Sequence, residues 1–141
     1  MSHLAKIELE IKDLAALRAA VQNLGYEFRD GQQTYAWYGR WVGDSPLPDG
    51  VSKDELGKCS HAIKVPGCSY EIGVVQKGPH YILLWDYWHA GGLSKVIGNN
   101  AGILKQAYTL ERIRKESRLK GYLIHEARTQ NGIRISLTQN R

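Results

Sequence analysis

Residues 70–89 read YEIGVVQKGPHYILLWDYWH, and the fold turns on how this stretch is taken. Two apolar runs flank Lys77-Gly78-Pro79-His80, where glycine and proline side by side mark a tight reversal. The stretch is therefore a β-hairpin, and its far end carries Trp85, Tyr87 and Trp88 around Asp86. It is the most apolar part of the chain, so the remaining elements are expected to pack around it.

Upstream, Ala5, Ile7, Leu9 and Ile11 alternate with Lys6, Glu8 and Glu10. A period of two with one charged side describes a half-buried strand. Asp13 stands where a carboxylate can accept the free N–H groups of a helix start, and Leu14, Leu17, Val21 and Leu24 follow at helical spacing. Gly25 suits a left-handed C-cap. Tyr26–Gln33 reads as a polar connection with a turn at Asp30-Gly31. Thr34–Val42 reads as a strand with Tyr35, Trp37 and Trp41 on one face and Tyr38 and Arg40 on the other. The stretch 43–58, GDSPLPDGVSKDELGK, breaks every regular pattern and is expected as an exposed loop with one helical turn near Ser52–Glu55.

Ser60–Val65 resumes as a strand, and Pro66-Gly67 leads into the hairpin. Beyond it, the glycine-rich stretch 90–102 precedes a long helix from about Asn100 to Lys120, with Ile103, Ala107, Leu110 and Ile113 on its buried side and Gly121 closing it. Tyr122–Gln130 and Ile133–Thr138 flank Asn131-Gly132, the strongest short hairpin signal. The order β-α-β-β-β-β-α-β-β describes one α+β domain in two layers: a mainly antiparallel sheet with two helices on one face.

The composition, 43% hydrophobic and 23% charged, is that of an ordinary globular chain. No apolar run is long enough to cross a bilayer, and no basic segment followed by an apolar one opens the sequence, so neither a membrane partner nor a secretory signal is expected. Two cysteines make no disulfide framework, and a cytoplasmic protein is expected. The net charge of +5 leans towards polyanionic partners.

Four constellations are candidates for chemistry. Asp86 and His89 set a carboxylate near an imidazole at a strand end, the parts of a general base; three positions apart on a strand, however, they face opposite ways. Cys59, His61 and Cys68 offer thiols and an imidazole to a metal, with Cys59 and His61 expected on one face, but without a Cys-x-x-Cys pair or an obvious fourth ligand. Gly91, Gly92, Gly98 and Gly102 precede a helix, yet no lysine follows in the pattern that triphosphate binding requires. The long helix carries Lys105, Arg112, Arg114, Lys115, Arg118 and Lys120 against Glu111 and Glu116, enough to form a basic face, with Glu111–Lys115 as an internal pair. Trp37, Trp41, Trp85 and Trp88 are suited to half-buried positions and contact surfaces.

The segments MSHLAKIELEIKDLAALRAAVQNLGY, HAIKVPGCSYEIGVV, YILLWDYWHAGGL, LKQAYTLERIRKESRLKGY and NGIRISLT, in that order, resemble one family across nearly the whole chain. It is the family of the conserved plastid open reading frame thirty-five (domain of unknown function number twelve fifty-seven), which also occurs in cyanobacteria, other bacteria and phages. Shorter members lack most of the 43–58 loop, so the chain resembles a longer bacterial or phage-type subfamily. The resemblance implies one domain in a cytosolic, stromal or infected-cell setting, no catalytic motif, and no activity to carry over.

The expected function is that of a non-enzymatic binding or accessory protein without a cofactor. Its partner, a protein, nucleotide or nucleic acid, would meet Trp37, Trp41, Trp85 and Trp88, with Lys105, Arg112, Arg114, Lys115 and Arg118 at the margin; a homo-oligomer is compatible with this. The alternatives are a nucleic-acid binder using the basic helix and a small enzyme centred on Asp86 and His89.

Overall fold

A computed structural model describes residues 3–39, 46–120, 122–129 and 132–139, with side chains through residue 119. The strands are β1 (Leu4–Ile11), β2 (Glu27–Asp30), β3 (His61–Lys64), β4 (Glu71–Lys77), β5 (His80–Asp86), β6 (Tyr122–Thr129) and β7 (Gly132–Gln139). The helices are α1 (Leu14–Asn23), the short α2 (Leu93–Ile97) and α3 (Gly102–Lys120). The fold is α+β. Five strands form an antiparallel sheet in the order β1-β5-β4-β3-β2, and β6 and β7 form a separate two-stranded sheet among the described residues. The opening hairpin forms as expected: Lys77 faces His80, and only Gly78 and Pro79, the former at φ +63°, make the turn.

One face of the sheet is covered by the helices. Ile7, Ile11, Ile63, Ile72, Val74, Leu83 and Trp85 meet Leu17, Val21, Leu93, Ile97, Leu104 and Tyr108 in one buried cluster. The helix start works as its sequence indicates: the Asp13 carboxylate accepts from Ala16 N at 3.1 Å, and Gly25 at φ +80° ends the turn. In α3 the buried side is rotated from the expected stripe. Leu104, Tyr108, Leu110 and Glu111 are buried, while Ile103 is 44% exposed. The reason is polar. Tyr108 Oη accepts from Lys12 N (3.1 Å) and Asp13 N (3.3 Å), and Asn23 Nδ2 donates to Glu111 Oε1 (2.6 Å), so tyrosine and glutamate fasten both ends of α1.

The other face is covered by irregular chain. Of the strand expected at 34–42, the described residues 34–39 form none: Thr34 makes one isolated bridge with Lys58, and the second strand is Glu27–Asp30, which pairs with β3 along an edge of the sheet. Residues 35–39 lie across the sheet instead, and Trp41 falls outside the described residues. Tyr35 is 3% exposed because β4 has a glycine beneath it; a Cβ at Gly73 would stand 2.4 Å from the Tyr35 ring. The described part of the 43–58 loop is also less exposed than expected. Val51 and Leu56 join Tyr35, Leu4, Ala62 and Leu84 in a second apolar cluster. Its single helical turn is at Lys53–Glu55, where Glu55 accepts from Ser52 N (3.2 Å) and binds Lys77 Nζ (2.6 Å). The sheet is therefore clad on both sides, by helices on one and by loop on the other.

Candidate partner-binding edge

The residues singled out for chemistry are dispersed by this fold. Asp86 is fully buried, and its oxygens accept from the N–H groups of His3 (3.0 Å), Trp88 (3.1 Å) and Tyr38 (3.1 Å). Those three donors lie in separate stretches of chain, so the carboxylate ties the start of β1 and the 35–39 segment to the end of β5. His89 is exposed with its ring edge-on to Trp88, and among the described residues no hydrogen bond joins it to Asp86. A buried acid spent on main-chain donors is a fastener, which removes the anchor from the enzyme reading.

The thiol–imidazole set is not assembled either. Cys59 belongs to the loop-side cluster and Cys68 to the helix-side cluster, with the sheet between them. His61 turns to the helix side against Phe28 and Tyr81, so it does not share a face with Cys59. The strand begins only at His61, and Cys59 precedes the alternation that was expected to align them. Among the described residues no group of three side chains could hold a metal. Cys59 Sγ donates to Gln32 O at 3.1 Å, and burial pushes the thiol up to about 11.

The aromatic surface is likewise divided. Trp85 is 4% exposed and part of the helix-side core, with only a sliver of its ring reaching a surface cavity. Trp37 covers Gly57 on the loop side, and Trp88 meets Tyr38 edge to face. On α3, Lys115 reaches Asp13 (2.6 Å) in place of the expected Glu111, and its proximity holds the Asp13 carboxyl below the usual range. Arg114 pairs with Glu111 at 2.8 Å, and Arg112 donates to Tyr108 Oη at 3.3 Å. Arg118 is exposed, and Lys105 is half-buried at the start of the helix. Much of the basic face is thus committed to holding α3 on the fold.

A different site emerges at β1. It is an outer strand of the sheet, paired with β5 on one side. Tyr87 N donates to His3 O at 3.0 Å, and the register runs on through Ala5↔Trp85 and Ile7↔Leu83. Antiparallel ladders alternate, so His3, Ala5 and Ile7 direct their main-chain groups at β5 while Leu4, Lys6 and Glu8 direct theirs outward. Beyond Ile7 the register shifts, and Ile11 is the next residue in phase, opposite Tyr81. The regular open edge is therefore short.

Both sides of this edge are hollowed. On the helix side a cavity of about 390 Å³ has Ala5, Ile7, Trp85 and Tyr87 along the sheet and Ser94, Asn99, Asn100 and Lys105 along its rim. On the loop side a second, of about 310 Å³, lies between Leu4, Lys6 and Glu8 and the Pro46–Asp49 segment. The rim of the first contains the most strained backbone described: Asn100 at φ +63° and Ala101 at φ +55° are consecutive left-handed residues that are not glycine. Each such residue costs roughly 1–3 kcal/mol and persists only where its surroundings impose it. The sequence carried faint signs of this site. Asn99-Asn100 is a pair that tolerates the left-handed region, and the alternation of β1 was plain; that β1 lies at the edge depends on strand order, which no local pattern reveals.

The class defined by fold and site is an α+β protein with an open, grooved sheet edge. No family model, curated protein or solved structure matches the chain. Among the described residues no helix is long and apolar enough to cross a membrane.

Proposed function

We propose that the protein is a non-enzymatic binding module whose recognition surface is the β1 edge, and that its partner is another protein. The observation that carries this reading is the placement of a cavity on each face of one strand whose outer side is unpaired among the described residues. An extended chain laid along such an edge gains main-chain hydrogen bonds and sends alternate side chains to opposite faces, one into each hollow. Edge strands are ordinarily blunted or covered because they recruit other chains, and the outward main-chain groups of Lys6 and Glu8 are in position to do so, whereas Leu4 is buried. The nucleic-acid reading has less to support it, because Arg112, Arg114 and Lys115 are engaged within the fold.

Lys6→Pro tests the reading. Proline removes an outward N–H that β5 does not use, and edge positions tolerate it. A displayed library of random short peptides panned on the folded wild type should yield binders that the Lys6→Pro protein fails to retain. Equal retention by the variant would remove the edge from consideration.

A further inference from the structure

We infer that the occupant of the β1 edge is an extended peptide segment carrying an apolar residue and, two positions along, an aspartate or glutamate. This rests on the binding role proposed above and specifies its ligand. Residues two apart on an added strand fall on the same face. On the helix side that face meets two kinds of surface in sequence. Ala5, Trp85 and Tyr87 make an apolar floor, and Lys105 stands on the rim with the amides of Asn99 and Asn100. Among the described residues neither Lys105 nor Lys6 has an ion-pair partner; both line the helix-side cavity, where Glu8 is the one acid, while Asp49 lies on the loop side. A carboxylate on the ligand supplies the missing charge, and an aliphatic side chain beside it covers the floor. The intervening residue points to the loop side, towards Leu47 and the Pro46 and Pro48 rings.

A second copy of the chain is the competing occupant. Antiparallel pairing of two β1 strands about Ile7 would set Lys6 opposite Glu8 in both directions, a complementary arrangement. The register shift after Ile7 argues against it, because only the run from Leu4 to Ile7 pairs regularly with β5. Contact along so short a ladder falls far below the roughly 1,000 Å² that a stable protein interface needs. A peptide requires no such area for transient recognition.

The experiment uses the whole chain, its Lys6→Pro and Lys105→Glu variants, and labelled synthetic peptides of the enriched sequences, measured by fluorescence anisotropy with folding verified by circular dichroism. The wild type should prefer Leu-x-Glu peptides to their Leu-x-Lys counterparts by about tenfold or more. Lys105→Glu, a change on an accessible helix position, should reverse that preference. If Lys6→Pro abolishes binding but Lys105→Glu leaves the preference unchanged, the edge role survives and the acidic ligand does not. If peptides bind equally to Lys6→Pro, the edge itself is lost. Sedimentation of the wild type completes the test: a monomer is expected, and a dimer dissolved by Lys6→Pro would replace the peptide with a second copy.

Discussion

The two faces of the sheet are buried by different means. Under the helices the contact is almost wholly apolar, since a helix satisfies its own main-chain hydrogen bonds and needs only a stripe of Leu, Ile and Val to seat it. Under the loop, every N–H brought into the interior must find an acceptor from elsewhere. Two buried acids of the sheet meet that need. Asp86 accepts from the main chain of His3, Tyr38 and Trp88, and Glu71, 7% exposed, accepts from Ala36 N (2.9 Å) and Gln32 Nε2 (3.1 Å) while Arg29 approaches at 3.3 Å. An irregular cover therefore brings main-chain donors onto acids of the sheet, whereas the buried acid of the helical side, Glu111, meets side chains that join helix to helix, and that contrast accounts for an aspartate inside the most apolar stretch of the chain.

The largest effect should come from removing such a fastener. Asp86→Ala orphans three partly buried N–H groups that separate segments contribute. At roughly 1–3 kcal/mol for each unsatisfied group, partly relieved by relaxation, the loss is on the order of 3–5 kcal/mol in urea unfolding. Leu83→Ala on the helix face should cost about 2–5 kcal/mol through a cavity alone. The two separate by hydrogen exchange: Asp86→Ala should expose the Tyr38 amide selectively, and Leu83→Ala should weaken β4 and β5 throughout. An Asp86→Ala protein as stable as wild type would end the comparison.

Gly73→Ala should come next, at about 1–3 kcal/mol. The added methyl meets the Tyr35 ring at 2.4 Å, and the ring has no room to remain on β4. If the whole cost is Tyr35 losing its seat, then Gly73→Ala and Tyr35→Ala together should cost much less than their sum. Full additivity would mean that the glycine serves some other need.

This pair of residues also marks where the sequence stopped being legible. The strands around Lys77–His80 and the helix after Asp13 were plain because their apolar spacing matches the period of the element that forms. Thr34–Val42 misleads for the same reason. Tyr35, Trp37 and Trp41 are spaced as on one face of a strand, but Tyr35 and Trp37 serve to cover a sheet, a role with no ladder of its own. Conversely, Glu27–Asp30 looks polar and still pairs with β3, because an edge strand needs only Phe28 facing inward. Lys115 and Ile103 were assigned to the wrong neighbours since α3 is turned by its Tyr108 and Glu111 contacts with α1, which lie about ninety residues away in sequence. The candidate site was the least legible of all, since an edge is a property of strand order.

Alkaline titration sharpens the contrast further. Burial pushes Tyr35 from an ordinary value near 10 up to about 12 and Cys59 from 9 up to about 11, both on the loop side. Between those limits the unfolded chain releases protons that the folded chain keeps, so stability is fully present below about pH 9 and falls as pH rises towards 12. On the helix side, burial also raises Cys68, Tyr26 and Tyr70, so some loss comes from there. The combined Tyr35→Phe and Cys59→Ala variant should lose roughly 2 kcal/mol less than wild type over that window in parallel urea titrations. A slope unchanged by both substitutions would show that the loop side does not carry the effect.

The smallest expected effect is the most discriminating. The Tyr35 hydroxyl is buried without a hydrogen-bond partner of good geometry, although the ring beneath it is tightly seated on Gly73. If the residue acts as an apolar plate holding the loop to β4, Tyr35→Phe keeps the plate and removes an unsatisfied polar atom. Its stability at pH 7 should then change by less than about 1 kcal/mol, in either direction or slightly upward. A loss of several kcal/mol on that change would mean that the hydroxyl finds a partner in solution and that the loop face relies on side-chain polar anchors as well as on its two buried acids. Asp86→Ala and Tyr35→Phe thus bracket the loop face: a carboxylate that main-chain donors require, and a phenol that none of them does.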